Sequence, residues 1–104
     1  MNVNAMSDNG STALIAAAGL AEPRLLGFLI QAGATVNHQN KNGYTALLAA
    51  VDTMRPEIIK LLLSKGARTD QRTRFDRTAK TIADMHKPDE NYDTVIRLLQ
   101  ATDG

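Results

Sequence analysis

Residues 42–51 read NGYTALLAAV, and residues 9–18 read NGSTALIAAA. The two stretches lie 33 positions apart, and a further Thr-Ala pair follows at the same interval, at Thr78-Ala79. With this offset, residues 3–38 and 36–71 are identical at 13 of 36 positions. A fixed period of this length is typical of repeat proteins, so the sequence predicts stacked copies of one structural unit.

Each unit is predicted to be a turn followed by two helices. Thr45 precedes an alanine-rich stretch, and threonine is a good helix N-cap because its hydroxyl accepts a backbone N–H of the first turn. Pro56 opens a second helix, where the missing N–H of proline costs nothing. Gly66 ends that helix, since glycine readily adopts the left-handed conformation. Asn42-Gly43 signals a tight turn, and the first unit carries the same features one period earlier.

The composition fits one small helical domain and excludes several kinds of chemistry. The 104 residues are 43% hydrophobic, with two Phe, two Tyr and no Trp, so the helix formers Ala and Leu carry the burial. The absence of Cys excludes disulfides, thiolate metal sites and a cysteine nucleophile. The longest uncharged run, residues 9–21, is too short to span a bilayer, and the N-terminus lacks the basic region of a signal peptide. We therefore expect no membrane association and a cytoplasmic location.

A unit of 33 residues that contains Gly-x-Thr-Ala-Leu-x-x-Ala and then Leu-Leu-x-x-Gly-Ala resembles the ankyrin repeat. The resemblance implies an all-α solenoid of stacked helix-turn-helix units with short hairpin-like turns. It covers nearly the whole chain as a single domain, 1–104, with repeats at about 7–39, 40–72 and 73–101. Residues 1–6 align with the end of a repeat, so we expect the chain to be either the C-terminal part of a longer array or a minimal protein whose first face is covered by another surface.

The sequence departs from the family pattern at the start of each first helix. The family's Thr-Pro-Leu-His becomes Thr-Ala-Leu-Leu at residues 45–48, and the other two units also lack the Pro and the His. We expect apolar contact to replace the hydrogen bonds that the histidine normally supports.

The two ends of the predicted stack differ in polarity. The third unit carries Lys80, Asp84 and Gln100 at positions that are apolar in the other units, which is typical of a terminal cap with a polar outer side. The first unit shows no such change, because Leu14, Ile15 and Leu25 stay apolar. The sequence therefore predicts a capped third unit and an uncovered first unit.

A search for catalytic or metal-binding patterns yields no candidate. His38 and His86 belong to different units and have no second His or Cys at ligand spacing. We expect His38 on an exposed strand after Gly33 and His86 at a helix end, each solvated or structural. Asp89, Glu90 and Asp93 lack the alternation of a calcium loop, so a solvated acidic loop is the preferred interpretation. We expect no catalytic residues, no metal, no cofactor and no enzymatic activity.

Ankyrin-type arrays bind partners across the turn tips and the exposed side of the first helices. Carried over by position, the resemblance implies a protein-binding surface made of Asp8, Asn9, Ser11, Leu20, Lys41, Asn42, Tyr44, Asp52, Thr53, Arg74, Phe75 and Arg77. Tyr44 and Phe75 are the preferred anchors, because aromatics and arginines supply most hot-spot energy. Packing on the neighbouring turn is the alternative for Tyr44.

The strongest charge feature is residues 60–87, which carry a net charge of +5 in a chain of net charge +1. Arg72, Arg74 and Arg77 fall in one predicted turn beside Phe75, and arginine forks pair with carboxylates or phosphates. The hypothesis is therefore a protein partner with an acidic segment or phosphate facing these arginines. The alternative is a solubilising cap beside Asp70 and Asp76. Nucleic acid is not expected, because only Phe75 is available to stack on bases.

Two functions remain open at this point. The favoured one is a protein–protein interaction scaffold that binds through the turn tips and the concave inner-helix face. The alternative is an assembly module that docks to further repeats, or to a second copy, through its uncovered first unit.

Overall fold

The computed structural model describes residues 3–87 and 89–101, and these ranges contain six helices and no strand. The helices form three consecutive pairs, each preceded by a five-residue turn. Their bounds are α1 Ala13–Gly19, α2 Pro23–Gln31, α3 Ala46–Thr53, α4 Pro56–Ser64, α5 Ala79–Asp84 and α6 Tyr92–Ala101. A turn with its helix pair is called unit one (turn 7–11), unit two (turn 40–44) or unit three (turn 73–77). The predicted all-α class is confirmed.

The helices pack in two layers, because each helix lies against its counterpart in the next unit. The first helices α1, α3 and α5 form one layer, and the second helices α2, α4 and α6 form the other. Leu14, Leu47 and Ile82 are fully buried in the first layer, as Leu26 and Ile59 are in the second. The units therefore stack along one direction and share a continuous apolar core.

The three turns share one hairpin-like geometry. In unit two, the N–H of Asn40 donates to Tyr44 O and the N–H of Gly43 donates to Asn40 O, both at 2.9 Å. The same two bonds close the turns at 7–11 and 73–77. The fourth residue has a positive φ in each turn: Gly10 +80°, Gly43 +82° and Asp76 +62°. Aspartate tolerates this left-handed conformation better than most residues, which explains how Asp76 replaces a glycine.

Each turn is seated directly on the turn before it. The N–H of Lys41 donates to Asn9 O at 2.8 Å, and the N–H of Arg74 donates to Asn42 O at 2.9 Å. A Cβ on Gly43 would lie 2.8–2.9 Å from backbone atoms of residues 72–74. Gly43 therefore serves two purposes, because it adopts the positive φ and allows the next turn to approach.

Side chains add polar links between units one and two. His38 Nε2 donates to Gly10 O at 2.8 Å, and Asn40 Nδ2 donates to Ser11 Oγ at 3.0 Å. His38 is half-buried and lies outside any strand, so the exposed-strand expectation is wrong and the structural alternative holds. The apolar residues that replace the family histidine, Ile15 and Leu48, are buried.

A second ladder joins the units where the second helices end. Asn4 accepts the N–H of Thr35 at 2.9 Å and donates to Gly33 O at 3.3 Å. One period later, Asn37 accepts the N–H of Arg68 at 2.8 Å and donates to Gly66 O at 3.1 Å. Each Asn satisfies a carbonyl at a helix C-terminus, where backbone acceptors have no partner within the helix.

Helix starts follow the sequence prediction with one exception. Thr45 and Thr78 accept the N–H of Leu48 and Thr81, and Pro23 opens α2 as predicted. Thr12 makes no capping bond, and its hydroxyl is buried without a hydrogen-bond partner among the described residues. The cap predicted for Thr12 is therefore wrong, and α1 lacks a stabilising bond that α3 and α5 have.

Unit three carries the polar outer side expected of a terminal cap. Lys80, Asp84 and Gln100 are exposed. The Tyr92 hydroxyl donates to Asp84, and this bond raises the pKa of Tyr92 above its ordinary value because it favours the neutral phenol. The Lys87 ammonium lies 5.0 Å from the Tyr92 ring, and its contact with Tyr92 raises the pKa of Lys87.

Unit one presents an uncovered apolar side. Leu25 is 44% exposed, whereas its counterparts Ile58 and Val95 are fully buried against the preceding unit. Ala13 is also exposed, while its counterpart Ala46 is buried. Ile15 was expected to belong to this face, but it is only 7% exposed and belongs to the core.

Replacing Gly43 by Ala is expected to lower the free energy of unfolding by about 2–5 kcal/mol. Left-handed strain contributes about 1–2 kcal/mol, and displacing the next turn contributes about 1–3 kcal/mol. The matched control is Gly66→Ala, because Gly66 has a φ of +89° and open space around its Cβ position. Urea unfolding followed by circular dichroism measures both variants. Equal losses would show that the contact between turns contributes nothing.

Candidate protein-binding surface

Phe75 is the most prominent side chain of the three turns. It is 65% exposed, with the Arg74 guanidinium 5.3 Å and the Arg77 guanidinium 5.9 Å from its ring centroid. The buried Thr73 holds this turn, because its hydroxyl accepts the N–H groups of Phe75 at 3.2 Å and Arg77 at 3.3 Å. The structure thus brings together three of the predicted binding residues, Arg74, Phe75 and Arg77, which are called the aromatic tip.

The neighbouring turn supports the aromatic tip. Besides the backbone bond between the turns, Arg74 Nη1 donates to Asn42 Oδ1 at 3.3 Å. Asn42 is half-buried, so it positions Arg74 more than it offers a surface of its own. Lys41 is exposed beside it and extends the positive charge towards unit one.

The cationic side chains of this region differ in whether they form an ion pair with a carboxylate. Arg72 Nη1 lies 3.0 Å from Asp76 Oδ1, and Arg68 Nη2 lies 2.8 Å from Asp70 Oδ2. The hydrogen bond from Arg68 lowers the pKa of Asp70. Arg72 therefore has a carboxylate partner, whereas Arg77 has none within residues 3–87 and 89–101. The pairing of Arg72 agrees with the interpretation of these arginines as a solubilising cap. Arg74 and Arg77 agree with the interpretation that they face an acidic segment of a partner.

In the first turn, the predicted binding residues mainly bond to one another or to unit two. Asn9 Oδ1 accepts the Ser7 hydroxyl at 2.6 Å and the N–H of Ser11 at 3.0 Å. Ser11 Oγ in turn accepts the bond from Asn40. Asp8 is exposed, and its carboxylate forms no ion pair within residues 3–87 and 89–101.

Tyr44 does not form an exposed anchor. It is half-buried and packs against the hydrophobic core, which agrees with the packing alternative rather than with the hot-spot interpretation. Its N–H donates to Asn40 Oδ1 at 3.0 Å, so it belongs to the framework of its turn.

A second group of predicted residues lies where the first helices end. Leu20 is 71% exposed. Asp52 pairs with His86 of the next unit at 2.9 Å, and Thr53 caps its own helix by donating to Ala50 O at 2.6 Å. The polar groups of Asp52 and Thr53 are therefore engaged within the chain, while Leu20 remains free for a partner.

Sequence reasoning missed Met85, which is an exposed apolar residue at the end of α5. The 33-residue offset from Asp52 points to this position, so the signal was present in the repeat register. Together with Leu20, Met85 adds apolar area to the side of the molecule formed by the first-helix ends.

The surface combines positive charge with exposed apolar area. Within the described part of the chain, no group of three His, Cys, Asp or Glu residues is placed to hold a metal ion. In the same part of the chain, no helix has the length and hydrophobicity needed to cross a bilayer.

A family model for ankyrin repeats, three copies, matches residues 1–73. The match covers units one and two and ends at the turn of unit three. No curated protein matches the chain.

Because one turn aromatic is half-buried and the other is exposed, their replacement is predicted to change stability by different amounts. Tyr44→Ala is expected to lower the free energy of unfolding by about 1–2 kcal/mol, because it removes half-buried apolar area. Phe75→Ala is expected to change it by less than about 0.5 kcal/mol, since the ring is exposed. Thermal and urea unfolding of the two variants provide the measurement. A larger loss in Phe75→Ala than in Tyr44→Ala would contradict these assignments.

Proposed function

Because the chain belongs to the ankyrin repeat family, whose repeats generally act as protein–protein interaction modules, we propose that it binds a partner protein through its turn tips and inner-helix face. The family is typically non-enzymatic, and the proposal assigns this chain no catalytic role. We place its action in the cytoplasm, in keeping with a chain that contains no Cys.

The aromatic tip is the observation that carries the proposal. An exposed Phe between two guanidinium groups combines the residue types that dominate binding energy at protein interfaces. The turn is fixed by Thr73 and by the bond to Asn42, so a partner would meet a surface that is already ordered. Preorganisation of this kind raises affinity because less freedom is lost on binding.

The charge of the aromatic tip favours a partner with an acidic segment. Arg74 and Arg77 present guanidinium groups that pair bidentately with carboxylates or phosphates. Arg72 adds to this surface only if its bond to Asp76 opens. An apolar side chain on Phe75 with carboxylates on either side is the arrangement that would complement the tip. Nucleic acid is a poorer candidate because Phe75 is the single stacking residue of this tip.

A second candidate function rests on the uncovered side of unit one. Leu25 and Ala13 expose apolar atoms at positions that unit two buries completely. An assembly role, in which this side docks to further repeats or to a second copy, would bury them.

The binding proposal is tested by capture of partners from the source cells and by titration of the recovered partner. Arg74→Ala/Phe75→Ala is expected to weaken binding by about 30-fold, because hot-spot residues contribute about 2 kcal/mol or more. Arg97→Ala is the control, since it removes an exposed arginine of α6 that belongs to no proposed binding surface. Loss of binding in the control alone would refute the aromatic tip as the binding site.

The assembly alternative is tested by light scattering over a range of protein concentrations. Self-association through unit one predicts a mass above the 11.3 kDa of one chain that returns to 11.3 kDa in Leu25→Lys. Ile15→Lys is unsuitable for this test because Ile15 is buried in the core. A folded species that is monomeric at every concentration would rule out self-association.

A further inference from the structure

The second helices leave a surface groove that the turn tips do not include. It lies between α2 and α4 and is bounded by Arg24, Gly27 and Phe28 of α2 and by Leu61 and Lys65 of unit two. It is called the outer groove. Because it lies on the layer opposite the first helices, it is distinct from the surface proposed above.

The space in the groove results from a glycine in α2 at a position where α4 has a long side chain. Gly27 lacks a side chain, and nothing lies within 4 Å of the position its Cβ would take. The counterpart in α4 is Lys60, so the open space is specific to unit one. The apolar part of the groove lining consists of Phe28 and its counterpart Leu61, and Phe28 is 61% exposed.

A positively charged side chain lies at each end of this apolar part of the groove. Arg24 lies in the first turn of α2, and Lys65 follows the last residue of α4. In the register of parallel, stacked helices these positions are eight residues apart, which corresponds to about 12 Å along the axis. Neither cation has a carboxylate partner within the part of the chain that the structure describes, and no acidic residue lines the groove.

We propose that the outer groove binds an acidic amphipathic helix of a partner protein. The helix would carry carboxylates at positions i and i+7, which lie on one face about 10.5 Å apart and match Arg24 and Lys65. Leucines at i+3 and i+4 lie on the same face and would contact Phe28 and fill the space above Gly27. Laying an apolar helix face into a groove between helices is an established mode of peptide recognition.

A second copy of this chain does not supply such a helix. The acids separated by seven or eight positions are Asp76 and Asp84, and the residues between them at the required places are Ala79 and Lys80. No segment of the sequence therefore combines the two carboxylates with two large apolar residues. The occupant is a different protein.

The test uses labelled helical peptides with the pattern Glu-x-x-Leu-Leu-x-x-Glu in an alanine and glutamine background, measured by fluorescence anisotropy. The acidic peptide is expected to bind. Peptides with Gln for both Glu, Ser for both Leu, or the second Glu moved to i+5, on another face of the helix, are each expected to bind at least about tenfold more weakly. Equal binding of the Gln peptide, or no binding of the acidic one, overturns the proposal.

Variants of the protein locate the site. Phe28→Ala is expected to weaken binding of the acidic peptide about tenfold, and Arg24→Glu/Lys65→Glu is expected to prefer the Lys-x-x-Leu-Leu-x-x-Lys peptide. Met6→Ala is the control, because it removes an exposed apolar side chain outside the aromatic tip and the outer groove, and it is expected to leave binding unchanged. An unchanged Phe28→Ala, or an equal loss in Met6→Ala, refutes the outer groove. A loss of binding in Phe75→Ala with Phe28→Ala unchanged would place the peptide on the aromatic tip and would also overturn the proposal.

Two further measurements keep the result unambiguous. Circular dichroism of each variant shows that a loss of binding is not a loss of fold, as expected for exposed residues. A wild-type dimer that Phe28→Ala converts to a monomer would show that a second copy occupies the groove, and this would overturn the proposal.

Discussion

The backbone contact between successive turns sets the spacing of the whole stack. An N–H of one turn donates to a carbonyl of the turn before it, at Lys41 to Asn9 and again at Arg74 to Asn42. This contact is short enough to need Gly43, whose Cβ would meet the backbone of the next turn. The close spacing explains why alanines fill the first helices, since Ala17, Ala50 and their neighbours allow helices to approach. The proposed aromatic tip depends on the same contact, because it fixes Arg74 beside the preceding turn.

The helices could be predicted from sequence because their signals are local and repeated. Pro23 and Pro56 mark the second helices, and both stand where a missing N–H is harmless. The surface was harder to predict, because exposure depends on contacts between units. Tyr44 and Phe75 are both turn aromatics, yet one packs on the core and the other stands free.

Hydrogen-bond partners between units were also beyond sequence reasoning. Asp52 was expected to face a partner, but it bonds to His86, which lies at the start of the long connection in unit three. The 33-residue register aligns His86 with Thr53, and such an alignment does not specify which side chains of neighbouring units pair. Thr12 has the sequence of a cap but no capping bond, although Thr45 in the same register has one.

Charge pairing at the surface separates two roles of the basic residues. Arg68 and Arg72 are joined to nearby carboxylates, and exposed pairs of this kind contribute little to stability. Their main effect is to neutralise charge. Within residues 3–87 and 89–101, Arg77 at the aromatic tip and Lys65 at the outer groove have no carboxylate partner, and the two proposals assign these cations to a partner.

Unit two links the stability of the stack to both surfaces. It has a neighbour on each side, and its residues Leu47, Val51, Ile58 and Leu62 are fully buried. In a one-dimensional stack the interfaces between neighbours supply much of the stability. The aromatic tip lies on the junction of units two and three, and the outer groove lies on the junction of units one and two. A ligand at either surface would bridge two units, and because it binds only the stacked form, its binding would stabilise that junction. Recognition at either proposed surface would therefore be coupled to folding through the same interfaces.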